Sequence, residues 1–144
     1  MSLRDGYKFV AGGVIYPSRF VYLYSSDDST VLQPAAANTR CLGVSQTGTE
    51  DAPGLNGATA YAASADLDPI QVYLPGDIAP LEIGSGGVST NDLIKCDANG
   101  KGIVAASTGQ TTQWVSAIAL ESGAAGEIIN VLVIPPTPYT PTVS

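Results

Sequence analysis

The chain of 144 residues contains no histidine, and charged residues make up only 13% of it. Histidine is the commonest general base and the commonest protein ligand for metals, so its absence excludes enzymes of the triad and zinc types. No other grouping of side chains has the spacing of a catalytic site. The sequence therefore predicts a protein that is not an enzyme and that uses neither a cofactor nor a metal.

Cysteine is rare as well, since Cys41 and Cys96 are the only two. Two cysteines are too few for a disulfide scaffold, and neither has a CxxC partner or a histidine that would activate it. We expect both to be small buried hydrophobic residues. The first residues lack the charged segment and apolar run of a signal peptide, so we expect synthesis in the cytoplasm.

Positive charge is also scarce, because 6 lysines and arginines face 13 acidic residues and the net charge is -7. This balance excludes nucleic acid as a partner. No apolar run approaches the roughly 18 residues of a membrane span, so no membrane contact is expected. Hydrophobic residues make up 44% of the chain, whereas charged residues fall well below the usual level of about 25%. A surface with so few charged residues predicts assembly with other protein subunits.

Apolar residues alternate with polar ones or form short runs between Gly, Pro, Asn and Asp, and a sustained helical stripe is absent. The pattern predicts an all-β fold, a compact β-barrel or sandwich of about eight short strands around a single core. The stretch Ala58–Asp66 has helical composition but is equally compatible with a loop. The predicted strands are Phe20–Tyr24, Val31–Gln33, Cys41–Gln46, Ile70–Leu74, Asp92–Cys96, Gly102–Ala105, Trp114–Leu120 and Ile128–Ile134.

Two parts of the single β domain, residues 20–74 and 92–134, resemble each other weakly, with four predicted strands in each. Gly84–Gly87 is predicted to link these halves. Asp97–Gly100 is predicted to be a hairpin turn rather than a calcium loop, because Asn-Gly supplies the positive φ angles of tight β-turns. The long insertion Thr47–Pro69 in the first half is expected to be a functional loop. The corresponding strands are 20–24 and 92–96, 31–32 and 103–104, 41–45 and 115–119, and 70–74 and 129–133.

The two ends of the chain differ from the β domain, residues 20–134. The N-terminal arm, residues 1–19, carries three basic residues against one acidic residue, with aromatic residues between them. The C-terminal tail, residues 135–144, is rich in proline, which favours an extended conformation. We expect these extended arms to contact other subunits through charges and aromatic anchors. The candidate contact residues are Arg4, Tyr7, Lys8, Phe9, Arg19, Pro135, Pro136 and Tyr139.

Two segments of the second half have sequences that resemble a known family. Residues 92–101 read Asp-Leu-Ile-Lys-Cys-Asp-Ala-Asn-Gly-Lys, and residues 119–127 read Ala-Leu-Glu-Ser-Gly-Ala-Ala-Gly-Glu. Together with their flanks, Gly87–Lys101 and Ala117–Leu132, they resemble the capsid decoration proteins of tailed bacteriophages, also called cement or head-stabilising proteins. Asn91 stands where this family commonly has glycine.

The resemblance implies a structural virion protein that binds the outer surface of the expanded, DNA-filled phage head. It implies contact with the major capsid protein, clamping of neighbouring capsomers, and usually a homotrimer. Strand faces such as Val131/Val133 and Trp114/Ser116, which cannot all point into one small core, favour oligomerisation. The alternative is a host- or glycan-binding β module of the virion surface, of the fibre or baseplate type. Its sugar platform would use Tyr16, Tyr22, Tyr24, Tyr61 and Tyr73.

Overall fold

The computed structural model describes residues 9–24, 29–46, 69–107, 109 and 111–141. These residues are all-β, as the sequence predicts, and form eleven strands in two sheets. In chain order the strands are β1 (Phe9–Ala11), β2 (Phe20–Leu23), β3 (Thr30–Leu32), β4 (Gly43–Ser45), β5 (Pro69–Ile70), β6 (Val72–Tyr73), β7 (Ile78–Glu82), β8 (Leu93–Cys96), β9 (Gly102–Val104), β10 (Gln113–Ala119) and β11 (Ile128–Tyr139).

Several predictions lie outside the described residues. The insertion Thr47–Pro69 is described only at Pro69. The segment Ala58–Asp66, for which the sequence left helix and loop as alternatives, is not described at all. The candidate contact residues Arg4, Tyr7 and Lys8 also lie outside the described part of the chain.

Seven of the eight predicted strands are present as single strands, whereas the predicted strand Ile70–Leu74 is divided at Gln71 into β5 and β6. The period-two alternation behind the predictions is visible in the burial of side chains. Along β11, Ile129 and Val131 are buried whereas Ile128 and Asn130 are exposed. The predicted hairpin is confirmed, because β8 and β9 pair antiparallel around the Asp97–Gly100 turn. Two strands, β1 and β7, were not predicted. β1 has only three residues, and β7 contains a proline, which lowers strand propensity.

The strand order explains how each sheet curls. The first sheet has the order β5-β1-β3-β2-β4-β6 and the second β7-β11-β10-β8-β9. β5 and β6 lie at opposite edges of the first sheet, yet only Gln71 separates them in the chain. The first sheet therefore curls until its edges approach each other. In the second sheet a parallel bridge between Ile83, directly after β7, and Gly102 in β9 brings the two edges together.

The two halves share a strand order, which agrees with the repeat seen in the sequence. The order β3-β2-β4-β6 in the first sheet corresponds to β9-β8-β10-β11 in the second. The register also corresponds, since Val44 pairs with Tyr73 and their counterparts Ile118 and Leu132 pair with each other.

The second half has one strand more than the predicted four, β7, and the first half has two more, because β1 is added and the predicted fourth strand is divided into β5 and β6. β1 pairs antiparallel with β5 and parallel with β3, whereas β7 pairs antiparallel with β11 and approaches β9 through the parallel bridge. The second half thus begins at β7. Gly84–Gly87 is a turn inside this half and not a linker between the halves, so that prediction was wrong.

Buried residues form two clusters rather than the single predicted core. Because side chains alternate along a strand, the neighbours Phe20 and Val21 point to opposite faces of β2 and enter different clusters. The smaller cluster belongs to the first half and consists of Phe9, Ala11, Ile15, Val21, Val31 and Ile70. The larger cluster contains residues from both sheets and therefore joins the two halves. Its members include Phe20, Cys41, Val44, Leu81, Ile94, Cys96, Ala117, Val131 and Val133.

Glu82 connects the two halves near the surface. Its Oε1 accepts hydrogen bonds from Arg19 Nε at 3.4 Å and Nη2 at 3.3 Å, and its Oε2 lies 3.2 Å from Lys101 Nζ. Arg19 also donates Nη1 to the Asn99 carbonyl oxygen at 2.9 Å, and its guanidinium lies 5.2 Å from the centroid of the Tyr16 ring. Arg19, a candidate contact residue, thus makes its charged contacts within the chain.

The substitution Glu82→Gln is expected to lower the free energy of unfolding by about 1 kcal/mol, because charge-assisted bonds to two partly exposed cations are lost. Urea unfolding followed by the fluorescence of Trp114, the single tryptophan, measures the change. Glu121→Gln is the control, since Glu121 is exposed and accepts one bond from Asn130 at 3.1 Å. Equal losses in the two variants would show that Glu82 does not hold the halves together.

Candidate docking surface

Strand β11 incorporates the first part of the predicted C-terminal tail. Pro135, Pro136 and Tyr139 lie within the strand, and Tyr139 pairs with Gln113 of β10. On its other side β11 pairs with β7 as far as Leu132, and Val133 exchanges backbone hydrogen bonds with Gly76 and Asp77. Among the described residues, no strand pairs with residues 134–139 on this side, so they form an edge of the sheet. Proline lacks a backbone N–H and is tolerated in sheets at such edges. Residues 135–139 therefore extend the sheet instead of forming a separate tail.

Beside this edge lies a patch of aromatic, cationic and proline side chains. Trp114 is half-buried and stands opposite Pro138 of β11. The exposed Arg40 guanidinium lies 5.2 Å from the centroid of the Trp114 ring. Asn38 Oδ1 accepts a hydrogen bond from the Trp114 backbone N–H at 2.7 Å and so fixes the strand beneath the patch. Trp, Arg and Tyr are the residue types that dominate binding energy at protein interfaces.

The outer face of the second sheet carries a row of apolar side chains. Ile78, Leu132, Ile118 and Leu93 stand opposite one another across β7, β11, β10 and β8. Opposite residues place their side chains about 5 Å apart on one face, so the four form a continuous stripe, here called the outer row. Ile78 is 59% exposed and Leu93 38% exposed, whereas Leu132 and Ile118 are half-buried.

Two further apolar residues extend the outer row. Ile128 at the start of β11 and Leu120 directly after β10 follow the same alternation as Leu132 and Ile118, and they are 55% and 44% exposed. No member of the row is charged. Exposed apolar surfaces of this kind are common at contact sites for other macromolecules, so the outer row is a candidate docking surface.

The prediction of which strand faces are available for oligomerisation was partly wrong. Val131 and Val133 are buried in the larger cluster, and Ser116 is buried at the register irregularity of β10, while Trp114 is half-buried. The outer row is an uncharged strand surface, as predicted, but it consists of different residues. Sequence could reveal the alternation within β10 and β11, yet it could not reveal which residues stand opposite each other on neighbouring strands.

A shallow cleft of about 560 Å³ lies where the two segments that resemble decoration proteins meet. Val88 and Gly123 exchange backbone hydrogen bonds of 2.8 and 3.0 Å and so join the segments. The Asp92 carboxylate accepts a bond from the Ser89 N–H at 2.8 Å, and the Glu127 carboxylate accepts one from the backbone three residues earlier at 2.6 Å. Both carboxylates therefore stabilise turns at the rim of the cleft.

The other predicted contact residues are scattered. Phe9 is 5% exposed and packs in the smaller cluster, so it does not serve as an anchor for a partner. The described tyrosines of the proposed sugar platform do not all share one surface either, although Tyr22 and Tyr24 lie on the same side of the chain at β2. Tyr16 lies under Arg19 and Tyr73 packs against the larger cluster, whereas Tyr24 is 46% exposed. Tyr61 lies outside the described residues.

In the described ranges, no group of three or more Cys, Asp or Glu side chains has a geometry that could hold a metal ion. The same residues contain no helix with the length and apolar character needed to cross a membrane.

These observations define an all-β protein with two related, curled sheets and a row of apolar side chains on the outer face of the second sheet. No family model and no curated protein matches the chain. Among solved structures, its fold is similar to the head fiber gp8.5 N base of bacteriophage phi29, with a TM-score of 0.59 and 17% sequence identity. The similarity covers 90% of this chain and 93% of that chain. The two chains thus share a fold over nearly their whole lengths.

Proposed function

We propose that this chain is a structural protein of a bacteriophage virion and binds the outer surface of the head. The shared fold with the phi29 head fiber base, which extends over 90% of this chain, is the observation that carries the proposal. The resemblance of residues 87–101 and 117–132 to capsid decoration proteins supports the same location from sequence. The shared fold is a likeness of backbone geometry, whereas the resemblance to decoration proteins is a likeness of turn and strand residues.

The partners in this proposal are the major capsid protein and further copies of the chain in a homotrimer. The outer row supplies an uncharged surface for contact between copies, because burying a Leu or Ile side chain stabilises an interface by roughly 1.5–3 kcal/mol. The patch of Trp114, Arg40 and Pro138 supplies aromatic and cationic anchors for the capsid. With only 13% charged residues in the chain, few charges need to be desolvated.

Stabilisation of the head follows from the number of contacts. A trimer that touches several capsomers separates from them only when all its contacts break together. Because it binds the assembled shell and not the separated subunits, it shifts the equilibrium toward the assembled state. The expected role is to clamp neighbouring capsomers of the expanded head against the pressure of packaged DNA.

The test compares genome-filled heads that lack the protein with the same heads after the purified chain is added back. We expect the heads without it to assemble but to lose DNA at lower temperature, and added protein to restore survival. An unrelated acidic protein of similar size is the control for non-specific effects. Equal survival with and without the chain would contradict the clamping role.

The alternative, a host- or glycan-binding module, is favoured by the exposed Tyr24 and the half-buried Tyr22, which alternate onto the same side of the chain at β2. Under this alternative, heads without the protein survive heating normally but adsorb poorly to cells. Measuring survival and adsorption on the same particles separates the two functions.

A further inference from the structure

The only two cysteines of the chain meet where its halves join. Cys41 lies just before β4 in the first half, and Cys96 ends β8 in the second. Both side chains are fully buried in the larger cluster, and both sulfurs contact the backbone of Thr39. Cys41 Sγ donates to the Thr39 carbonyl oxygen at 3.3 Å, and Cys96 Sγ lies 3.7 Å from the same oxygen. Residues about 55 positions apart in sequence are thus neighbours in the larger cluster.

The environment of the two sulfurs is unequal. Hydrogen bonding with the Cys41 side chain, together with further bonds that include the Thr39 N–H at 3.2 Å, lowers the pKa of Cys96 to about 7 despite burial. The same contact with Cys96, together with burial, raises the pKa of Cys41. Cys96 is therefore the more readily deprotonated of the two cysteines. The thiolate is the nucleophilic form of cysteine.

A short surface loop covers the pair. The Ala36 carbonyl oxygen lies 3.7 Å from Cys96 Sγ, and the backbone of Thr39 contacts both sulfurs. Residues 35–37 of this loop are exposed. Because both sulfurs are buried, access of an oxidant to them requires local opening of this loop, and a bulky disulfide reagent requires a larger opening than hydrogen peroxide does.

We infer that Cys41 and Cys96 form an oxidisable pair that closes to a disulfide and links the two halves covalently in an oxidising environment. With hydrogen peroxide, the Cys96 thiolate attacks one peroxide oxygen, the O–O bond breaks, and Cys96 becomes a sulfenic acid as hydroxide leaves. The Cys41 sulfur then attacks the Cys96 sulfur. The S–S bond forms, the S–O bond breaks, and the leaving hydroxide takes the Cys41 proton as water. The first hydroxide takes up the proton that Cys96 had released, so two thiols are oxidised and one peroxide is reduced to two waters.

The test treats the reduced full-length chain with hydrogen peroxide and measures its intact mass. The expected product is lighter by about two daltons, the mass of two hydrogens, and has no thiol that reacts with an alkylating agent under denaturing conditions. Trypsin cleaves after Arg40 and Lys95, so the linked peptides are 41–95 and 96–101. The rate is expected to rise with pH around a midpoint of about 7. The thermal unfolding midpoint is expected to rise by about 10 °C.

Two single variants identify the nucleophile. Cys41→Ser retains Cys96, which is expected to stop at the sulfenic acid, and Cys96→Ser is expected to react much more slowly. The mass of the wild-type product decides the inference even if a variant does not fold. The inference is overturned if the wild-type chain keeps both thiols, if each cysteine gains oxygen without loss of two hydrogens, or if the disulfide joins separate chains on a non-reducing gel. None of these results tests head binding, so a failure of this inference would leave the proposed function unaffected.

Discussion

The double variant Ile78→Asp/Leu93→Asp is expected to remain folded but to lose assembly into trimers and, with it, retention on phage heads. Both residues lie at the ends of the outer row and are 59% and 38% exposed. In the free chain the new carboxylates stay in water, so stability changes by no more than about 1 kcal/mol. In an assembled interface each carboxylate would be buried without a partner, which costs several kcal/mol. We therefore expect the dissociation constant to rise more than about 100-fold.

Light scattering of the purified chain and cosedimentation with heads that lack it measure the two effects. Val14→Asp is the matched control, because Val14 is 47% exposed but lies after β1, away from the outer row. The control is expected to assemble and bind like the wild-type chain. If the double variant cosediments with heads as well as the control does, the outer row is not the docking surface. If the trimer forms only on the head, light scattering detects no trimer for any of the chains. Cosedimentation with heads then measures the effect of the double variant by itself.

The substitution Gly43→Ala is expected to reduce the free energy of unfolding by more than about 4 kcal/mol, which would leave much of the chain unfolded. Gly43 is buried in β4, and a Cβ at this position would overlap the Tyr73 carbonyl oxygen and lie 2.9 Å from Val72 Cγ1. The obstacle at Tyr73 is backbone, fixed by the pairing of β4 with β6. No side-chain rotation relieves the overlap, so β6 must move away from the sheet.

Gly76→Ala separates this overlap from the ordinary cost of replacing glycine. A Cβ at Gly76 meets nothing within 4 Å, but its φ of 98° is unfavourable for alanine. The expected loss at Gly76 is about 1 kcal/mol. Urea and thermal unfolding followed by circular dichroism measure both variants. A loss at Gly43 no larger than at Gly76 would show that β4 and β6 separate at little cost.

The sequence by itself determined the features that depend on neighbouring residues. Alternating β-branched and polar residues marked the strands, and the Asn99–Gly100 pair identified the hairpin between β8 and β9. The repeat shared by the two sheets is visible in the sequence as corresponding strand and turn residues in the two halves. Each of these signals spans a few residues and follows from side-chain alternation and turn geometry, so long-range contacts were not needed to recognise it.

The tertiary structure decided everything that depends on which strands become neighbours. β7 is a strand because β11 pairs with it, and β11 continues past Pro135 because β10 pairs with it on the other side. The division of buried residues into two clusters follows from the curl of the first sheet, which gives both of its faces apolar neighbours. The outer row and the contact between Cys41 and Cys96 join residues that are far apart in the chain. Their proximity is set by strand register and sheet packing, which arise only when distant segments pair and cannot be read from local sequence.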